Sequence, residues 1–303
     1  MAISAFRFAL AITAFSAQTL RAALPNYDHI VIVVEENRPA SEIYGNRVEA
    51  PYLNQLKDRG AWLSRMSAIT HPSQPNYLHL FSGRGQGVTT NDKPTNLPFT
   101  TPNLGAALLA AGKTFVGYSQ NLPQAGDAQT DGTFRYQNYP WGWFAWQVYA
   151  RKHVPWTNWQ SRPPRPANTL PGAVNQPFSA FPVNLAQLPD VAFVIPDQDH
   201  DMHNIDGSEV RRADNFLRKR LGAYADWAET HNSLLIVTWD EDDSSEMNRI
   251  PTIFVGAHLR KGRNRGEWTL HHLLRTLPDL EGLAPIGKAA DVTRITGIFE
   301  NDP

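Results

Sequence analysis

Apolar residues in this chain gather into short unbroken runs, and three of those runs end alike. Residues 29–34 (HIVIVV) lead into Glu35, Glu36, Asn37 and Arg38. Residues 191–195 (VAFVI) lead through Pro196 into DQDHDMHN, which holds Asp197, Asp199, His200, Asp201 and His203. Residues 234–237 (LLIV) lead through Thr238 and Trp239 into consecutive carboxylates from Asp240 to Asp243. A short run that is apolar at every position is the pattern of a strand buried on both faces, as in a parallel sheet. In open α/β sheets, ligands bind beyond the carboxyl ends of such strands. If the three strands are parallel neighbours, carboxylates, an amide and imidazoles converge on one edge, a donor set suited to a divalent cation or to phosphate chemistry.

Between these runs the pattern predicts helices. Residues 51–59 read as a helix stopped by Gly60 and 103–111 as one stopped by Gly112, each glycine supplying a left-handed cap. Residues 113–118 and 250–256 read as further strands, and 211–229 as the longest helix. Strand and helix signals that alternate predict an α/β fold with a mostly parallel central sheet and helices on both faces. At 303 residues and 42% hydrophobic, the chain suits one large domain over 24–303 with an insertion. The insertion is placed at 137–182, where Trp141, Trp143, Trp146, Trp156 and Trp159 lie close together and Pro163, Pro164 and Pro166 nearly adjoin. Proline removes ladder donors, so this segment is expected to form a lid over the strand ends rather than central strands. Its tryptophans either anchor an irregular loop by buried area or form a platform for a sugar, a lipid or an aromatic leaving group; the first reading is favoured because aromatics bury so much surface.

Charge and composition narrow the picture only a little. A net charge of −1 leaves no electrostatic footprint for nucleic acid. The absence of cysteine excludes disulfides, thiolate nucleophiles and zinc–thiolate sites. Arg7 precedes about ten mostly apolar residues over 8–17, which suits the core of a signal peptide and falls short of the roughly 20 residues of a spanning helix. Residues 1–23 are therefore expected to direct export, with no transmembrane segment; the alternative is a buried N-terminal helix.

A nucleophile candidate lies in THPSQPNYLHLFSG, residues 70–83, where Pro72 and Pro75 bracket Ser73. Proline favours the first turn of a helix, so Ser73 is expected at or just before a helix N-terminus. Backbone N–H groups and the helix dipole favour an anion there, and Asn76, one turn along, would donate to a phosphate oxygen. A serine in this position is equally often a simple cap.

Taken together, VIVVEEN, HPSQPNYLHLFSG, PDQDHDMHN, TWDEDDSSEMNRIPTIFVG and HHLLRTLPDLEGL resemble the bacterial phosphoesterase family. That family contains secreted acid phosphatases, phosphatidylinositol-phosphate phosphatases and phospholipase C enzymes within the alkaline phosphatase superfamily. The resemblance runs from about Tyr27 to Phe299. It implies an alkaline-phosphatase-like fold, Ser73 as nucleophile, Asn76 as a phosphate ligand, and a divalent metal bound by Glu36, Asn37, Ser73, Asp240 and Glu241. It implies further that Asp201 and His203 belong to the site, with His203 a phosphate contact or the acid for the leaving group, and that the pH optimum is acidic. Two positions depart from the family pattern: Arg249 stands where relatives often have His, and Leu270 replaces a His, although His271 and His272 follow at once. Arg249 can still grip a phosphate through its fork of donors, while the two histidines either replace the missing one or simply cap their helix or face solvent.

The chemistry also stands on the residues alone. A serine hydroxyl is a weak nucleophile that needs a base or a metal, and Glu36, Asn37, Asp240 and Glu241 offer hard oxygen ligands. His203 or His200 would protonate the leaving alkoxide, their clustering at a strand end setting them apart from the isolated His79, His153 and His231. The expected activity is metal-assisted hydrolysis of phosphate monoesters, a phosphoinositide among the candidate substrates, through a phosphoserine. The alternatives are phosphodiester cleavage, a glycan-active or glycan-binding role for the Trp-rich segment, and a metal-binding module without turnover. Oxygen donors accept Mg, Ca or Mn, and added imidazole admits Zn or Fe.

Overall fold

Ile30 to Val34 have no exposed surface at all, which requires cover on both faces of their strand. The computed structural model describes residues 24–140, 142–203 and 207–302, so the export segment expected over 1–23 lies outside the described residues. Within them, His29–Glu35 sits at the centre of an eight-stranded sheet. In spatial order its strands are Gly262–Asn264, Ala61–Leu63, Thr252–Gly256, Ser233–Trp239, His29–Glu35, Val191–Ile195, Phe115–Ser119 and Asn175–Pro177. The three apolar runs are adjacent and parallel: Ile30 pairs with Val191 on one side and with Leu234 on the other. Their carboxyl ends therefore share one edge of the sheet.

The strand Thr252–Gly256 runs antiparallel both to Ser233–Trp239 and to Ala61–Leu63, so the sheet is mostly rather than wholly parallel. Pro251 separates it from the two-residue strand Arg249–Ile250, which joins a different small sheet. Around the central sheet pack two groups of helices. Pro51–Arg59 and the 20-residue Glu209–Ala228 contact each other and the Ser233–Trp239 side of the sheet. Ser73–Ser82 contacts both Leu104–Ala110 and Leu270–Leu280.

Helix ends follow local chemistry, with one correction. Asn103 caps Leu104–Ala110 by accepting from Ala106 N, and Gly112 takes a left-handed φ of 75°. Gly60 ends its helix in extended conformation, φ −119°, not in the left-handed cap the sequence suggested. Glycine is required there for space: a Cβ would lie 2.0 Å from the carbonyl oxygen of Phe254.

The segment 137–182 divides in a way its composition conceals. Gly132–Tyr139 and Gly142–Ala150 form a hairpin that, among the described residues, pairs with no other strand. Trp156 and Trp159 are fully buried in the main core, among Phe81, Phe115 and Phe193 and against Phe99. Asn175–Pro177 adds the outermost strand of the sheet, where an edge tolerates proline. Trp156 seats directly on Gly117 of the neighbouring strand, whose absent side chain makes room for the indole, while its Nε1 donates to Asn175 Oδ1 at 2.8 Å.

A Cβ on Gly117 would lie 2.1 Å from the Trp156 ring, so Gly117→Ala should destabilise by about 3 kcal/mol in chemical denaturation. Gly222→Ala, inside a helix with its nearest neighbour at 3.5 Å, should instead stabilise by about 0.5–1 kcal/mol. A second test concerns the contact between the helices Ser73–Ser82 and Leu270–Leu280, where His79 Nδ1 lies 2.9 Å from His271 Nε2. Burial lowers both imidazoles from 6.5 to about 4. The unfolded chain therefore binds protons in that window while the native protein does not, and stability falls as pH drops from 6.5 toward 4. With both rings partly solvated, the loss should be on the order of 1 kcal/mol. It should be smaller in His271→Leu than in the wild type when melting is compared at the two ends of the window.

Candidate active site

Three chain segments build the site, and backbone bonds tie them together. Glu36 N donates to Asp201 O at 2.7 Å and Asp240 N to Glu35 O at 3.0 Å, so the three strand exits are laced into one floor. Asn37 adopts a left-handed φ of 42°, which turns the chain so that its N–H reaches Asp240 Oδ1 at 3.3 Å. Arg38 anchors the turn from below, donating to Met202 O at 3.1 Å and to Glu209 Oε1 at 2.6 Å.

Ser73 is the first residue of the helix Ser73–Ser82, with Pro72 before it and Pro75 within the first turn, and Gly83 closes the other end at φ 68°. The helix starts at Ser73, where the flanking prolines place its N-terminus in the sequence. The buried Ser73 hydroxyl lies 3.1 Å from Glu36 Oε2 and 3.1 Å from Glu241 Oε1. With one proton to donate, it satisfies one carboxylate at a time.

Asn76 is committed more fully than the sequence indicated. Its Oδ1 accepts from Ile69 N and Thr70 N at 3.1 and 3.0 Å, and its Nδ2 donates to Thr70 O at 2.7 Å and to Glu241 Oε2 at 3.2 Å. It therefore shapes the loop ahead of Ser73 and orients Glu241. His71 closes over the same carboxylate, its Nδ1 2.9 Å from Glu241 Oε2. Asp242, next in the acidic run, is used structurally: it accepts from the N–H groups of Ser244, Glu246 and Asn248 and so builds the turn.

Burial dominates the electrostatics. It raises Glu36 and Glu241 to about 7 and holds Asp240 and Asp201 well above the usual carboxylate range, with neighbouring carboxylates adding to the effect. Glu35, on the opposite face of its strand, is buried with neither oxygen paired, and burial, then Glu36 and Asp214, push its carboxyl well above the usual carboxylate range. At the site itself Asn37 Oδ1, Asp240 Oδ2 and Asp201 Oδ2 are buried without a hydrogen-bond partner. Orphaned oxygens beside mutually repelling carboxylates fit a divalent cation, which would satisfy such oxygens and relieve the repulsion together. Among the described residues, no three His, Asp or Glu side chains are drawn together in a closed ligand group. The fit rests on the orphaned atoms and the chemistry of the donors.

The histidines distribute differently from the sequence reading. His200 turns away, with Nδ1 2.6 Å from Asp197 Oδ1 and 3.1 Å from Gln120 Nε2, and its ring packs on Phe216 in a separate cavity of about 650 Å3. His203 stays near the floor: its N–H donates to Asp201 Oδ1 at 2.8 Å, and burial lowers its imidazole to about 4. His153, set aside in the sequence as an isolated imidazole, is fully buried at the site, with Nε2 3.2 Å from Glu36 Oε1 and Nδ1 3.6 Å from Asp201 Oδ2. It stacks on Tyr77, whose hydroxyl donates to Glu36 Oε1 at 2.5 Å. Lys152 precedes it, and its positive charge acts on Glu36, Glu241, His153 and His203. Tyr77 could have been found from its position one turn beyond Ser73, but no local signal in the Trp-rich segment marks Lys152 and His153. Arg249 pairs with Glu267 at 2.9 Å, His271 pairs with His79, and His272 caps its own helix through Thr269.

Comparison with known proteins places this geometry. The chain is 44% identical over 279 residues to a phosphatidylinositol-3-phosphatase of Mycobacterium tuberculosis, covering 91% of this chain and 84% of that protein. It is 26% identical to a phosphate-repressible acid phosphatase of Penicillium chrysogenum, covering 78% of this chain and 55% of that protein, so it spans about half the length of this fungal relative. A solved structure of an alkaline phosphatase superfamily protein from Vibrio parahaemolyticus superposes with a TM-score of 0.55 at 13% identity, over 89% of this chain and 72% of that one, which supports the shared fold. The sequence profile of the Phosphoesterase family matches residues 44–284, and this chain belongs to that family as a phosphoric ester hydrolase.

Proposed function

We propose that the protein hydrolyses phosphate monoesters through a phosphoserine on Ser73, assisted by a divalent cation held by Glu36, Asn37, Asp240 and Glu241 with the Ser73 oxygen. The observation that carries this reading is the Ser73 hydroxyl at a helix N-terminus, 3.1 Å from each of two buried carboxylates. When bound, the cation would lower the pKa of the hydroxyl and offset the charge of the carboxylates.

The protein's own groups supply the rest. Ser73 Oγ attacks phosphorus and the ester P–O bond breaks on the opposite side. The hydroxyl proton passes to Glu36 or Glu241, which border it. The leaving alkoxide takes a proton from water on the side of the site bordered by Asp201 and His203. Water then cleaves the phosphoserine and restores the hydroxyl. The cationic Lys152 favours the negative charge of the phosphoryl group, and the Tyr77 hydroxyl holds Glu36 in place from behind.

Phosphoinositides are the proposed substrate class, supported by the extensive likeness to a phosphatidylinositol-3-phosphatase. Export is proposed on the apolar run over 8–17; secretion into culture medium, with loss of the leading residues by mass spectrometry, would test it.

Assays of p-nitrophenyl phosphate against bis-p-nitrophenyl phosphate test the chemistry. The monoester should be the better substrate, Ser73→Ala should lower kcat by about 10³-fold or more, and chelation should abolish turnover that a divalent cation restores. Preference for the diester would assign the phosphodiesterase reading, and full activity in Ser73→Ala would remove Ser73 as nucleophile. Lys152→Gln should raise KM by about tenfold, a loss on the scale of one charge-assisted contact. An unchanged KM would place Lys152 outside phosphate binding.

A further inference from the structure

We infer that the hairpin formed by Gly132–Tyr139 and Gly142–Ala150 is a docking element that inserts into the interface of a lipid bilayer and holds the active site at the membrane surface. The inference rests on the phosphoinositide reading above for its purpose, and on the hairpin itself for its chemistry. Phe134, Tyr136, Trp143 and Phe144 are 54, 64, 75 and 56% exposed, half of the eight large hydrophobic side chains exposed among the described residues. The others, such as Val48 and Met247, are spread along the chain, as single surface hydrophobics usually are. Such a concentration on a two-stranded ribbon, which is marginally stable in water by itself, calls for a partner.

The arrangement favours a fluid interface over a folded protein. Directly paired residues share a face, so the pairs Tyr136–Ala145 and Asn138–Trp143 place Tyr136 and Trp143 on one face with Phe134. The pair Gln137–Phe144 places Phe144 on the other face, stacked on Trp146 at 5.9 Å. A flat protein surface would cover one face and leave the other wet, whereas an inserted tip is surrounded. Trp and Tyr are the residues of membrane–water interfaces, with an apolar ring and one polar atom. Residues 132–150 contain no Asp or Glu and a single cation, Arg135, so nothing on the ribbon is repelled by anionic headgroups.

Its base is fixed to the catalytic loop. Trp146 Nε1 donates to Asp199 Oδ1 at 2.8 Å, Arg135 pairs with Asp199 Oδ2, and Gln198 N donates to Val148 O at 2.9 Å. Asp199 lies in the same loop as Asp201 and His203, and the second strand leads directly to Lys152 and His153. Beyond that clamp the strand from Trp146 to Gly142 projects about 13 Å, enough for the 5–10 Å depth of interfacial insertion.

Co-sedimentation with vesicles of phosphatidylcholine, alone and mixed with phosphatidylserine, tests the inference without any phosphoinositide present. Wild type should sediment with the vesicles. Trp143→Ser with Phe144→Ser should lower the partition coefficient about tenfold or more, and Phe134→Ser with Tyr136→Ser should lower it comparably, because both faces are immersed. All variants should keep wild-type turnover of soluble p-nitrophenyl phosphate, showing that they are folded. Wild-type protein left in the supernatant, or hairpin variants that bind like wild type, would overturn the inference. A dimer in sedimentation velocity that the hairpin variants convert to monomer would also overturn it, naming a second copy as the occupant. Ser73→Ala should bind vesicles normally, so loss of turnover there concerns only the phosphatase reading, and loss of vesicle binding with turnover intact concerns only the hairpin.

Discussion

Glu36 and Glu241 are buried against one serine hydroxyl with Asp240 buried beside them, and the mutual repulsion of these carboxylates is what the rest of the site answers. An ionised carboxylate removed from water is costly, and three in one place more so, unless each finds donors or a cation. The protein provides some donors: Tyr77 to Glu36, Asn76 to Glu241, and the N–H groups of Asn37 and Glu241 to Asp240. It leaves Asp240 Oδ2 and Asn37 Oδ1 with none. A site built for stability alone would not retain such groups, whereas one that binds a cation and a phosphate needs them unsatisfied beforehand.

The sheet makes this concentration possible. Parallel pairing of three consecutive neighbours in space, drawn from residues that are far apart in sequence, places the polar residues after each strand on one edge. Apolar side chains on both faces of those strands hold the register, since a slip would bury Glu36 or Asp240 away from the floor. Ser73 then approaches from a different element, a helix N-terminus whose dipole favours the same anion that the cation and Lys152 would attract. In the proposed reading three sources of positive potential would face a phosphate: the cation, Lys152 and the free N–H groups of the helix end. None of them depends on the carboxylates being protonated.

The central strands and the residues at their ends were legible in the sequence because a strand buried on both faces has an unmistakable pattern and its last residue is fixed by the first charge. Ser73 was legible from the flanking prolines. What could not be read was anything that depends on where a loop goes. The sequence favours His200 as a site residue and sets His153 aside as isolated; the fold does the reverse, carrying His153 into the floor and turning His200 onto Phe216. Trp156 and Trp159 are buried, as the favoured reading of the Trp-rich segment has it, but their place in the main core depends on Gly117, which opens the slot that admits Trp156. Gly60 was correctly placed at a helix end for the wrong reason, since the backbone of Phe254 and not a left-handed turn excludes a side chain there. In each case the deciding contact is at least 16 residues away in the chain, beyond the reach of local periodicity.

The central claim is that the carboxylate cluster is a cation site, and thermal unfolding of chelated protein tests it directly. Adding a divalent cation should raise the melting temperature of wild type, by the equivalent of about 2.7 kcal/mol at a hundredfold excess over Kd. Asp240→Asn should melt higher than wild type in chelator, because one repelling charge is gone, and should gain little from the cation. A wild type indifferent to every divalent cation tried, with Asp240→Asn less stable in chelator, would contradict the account.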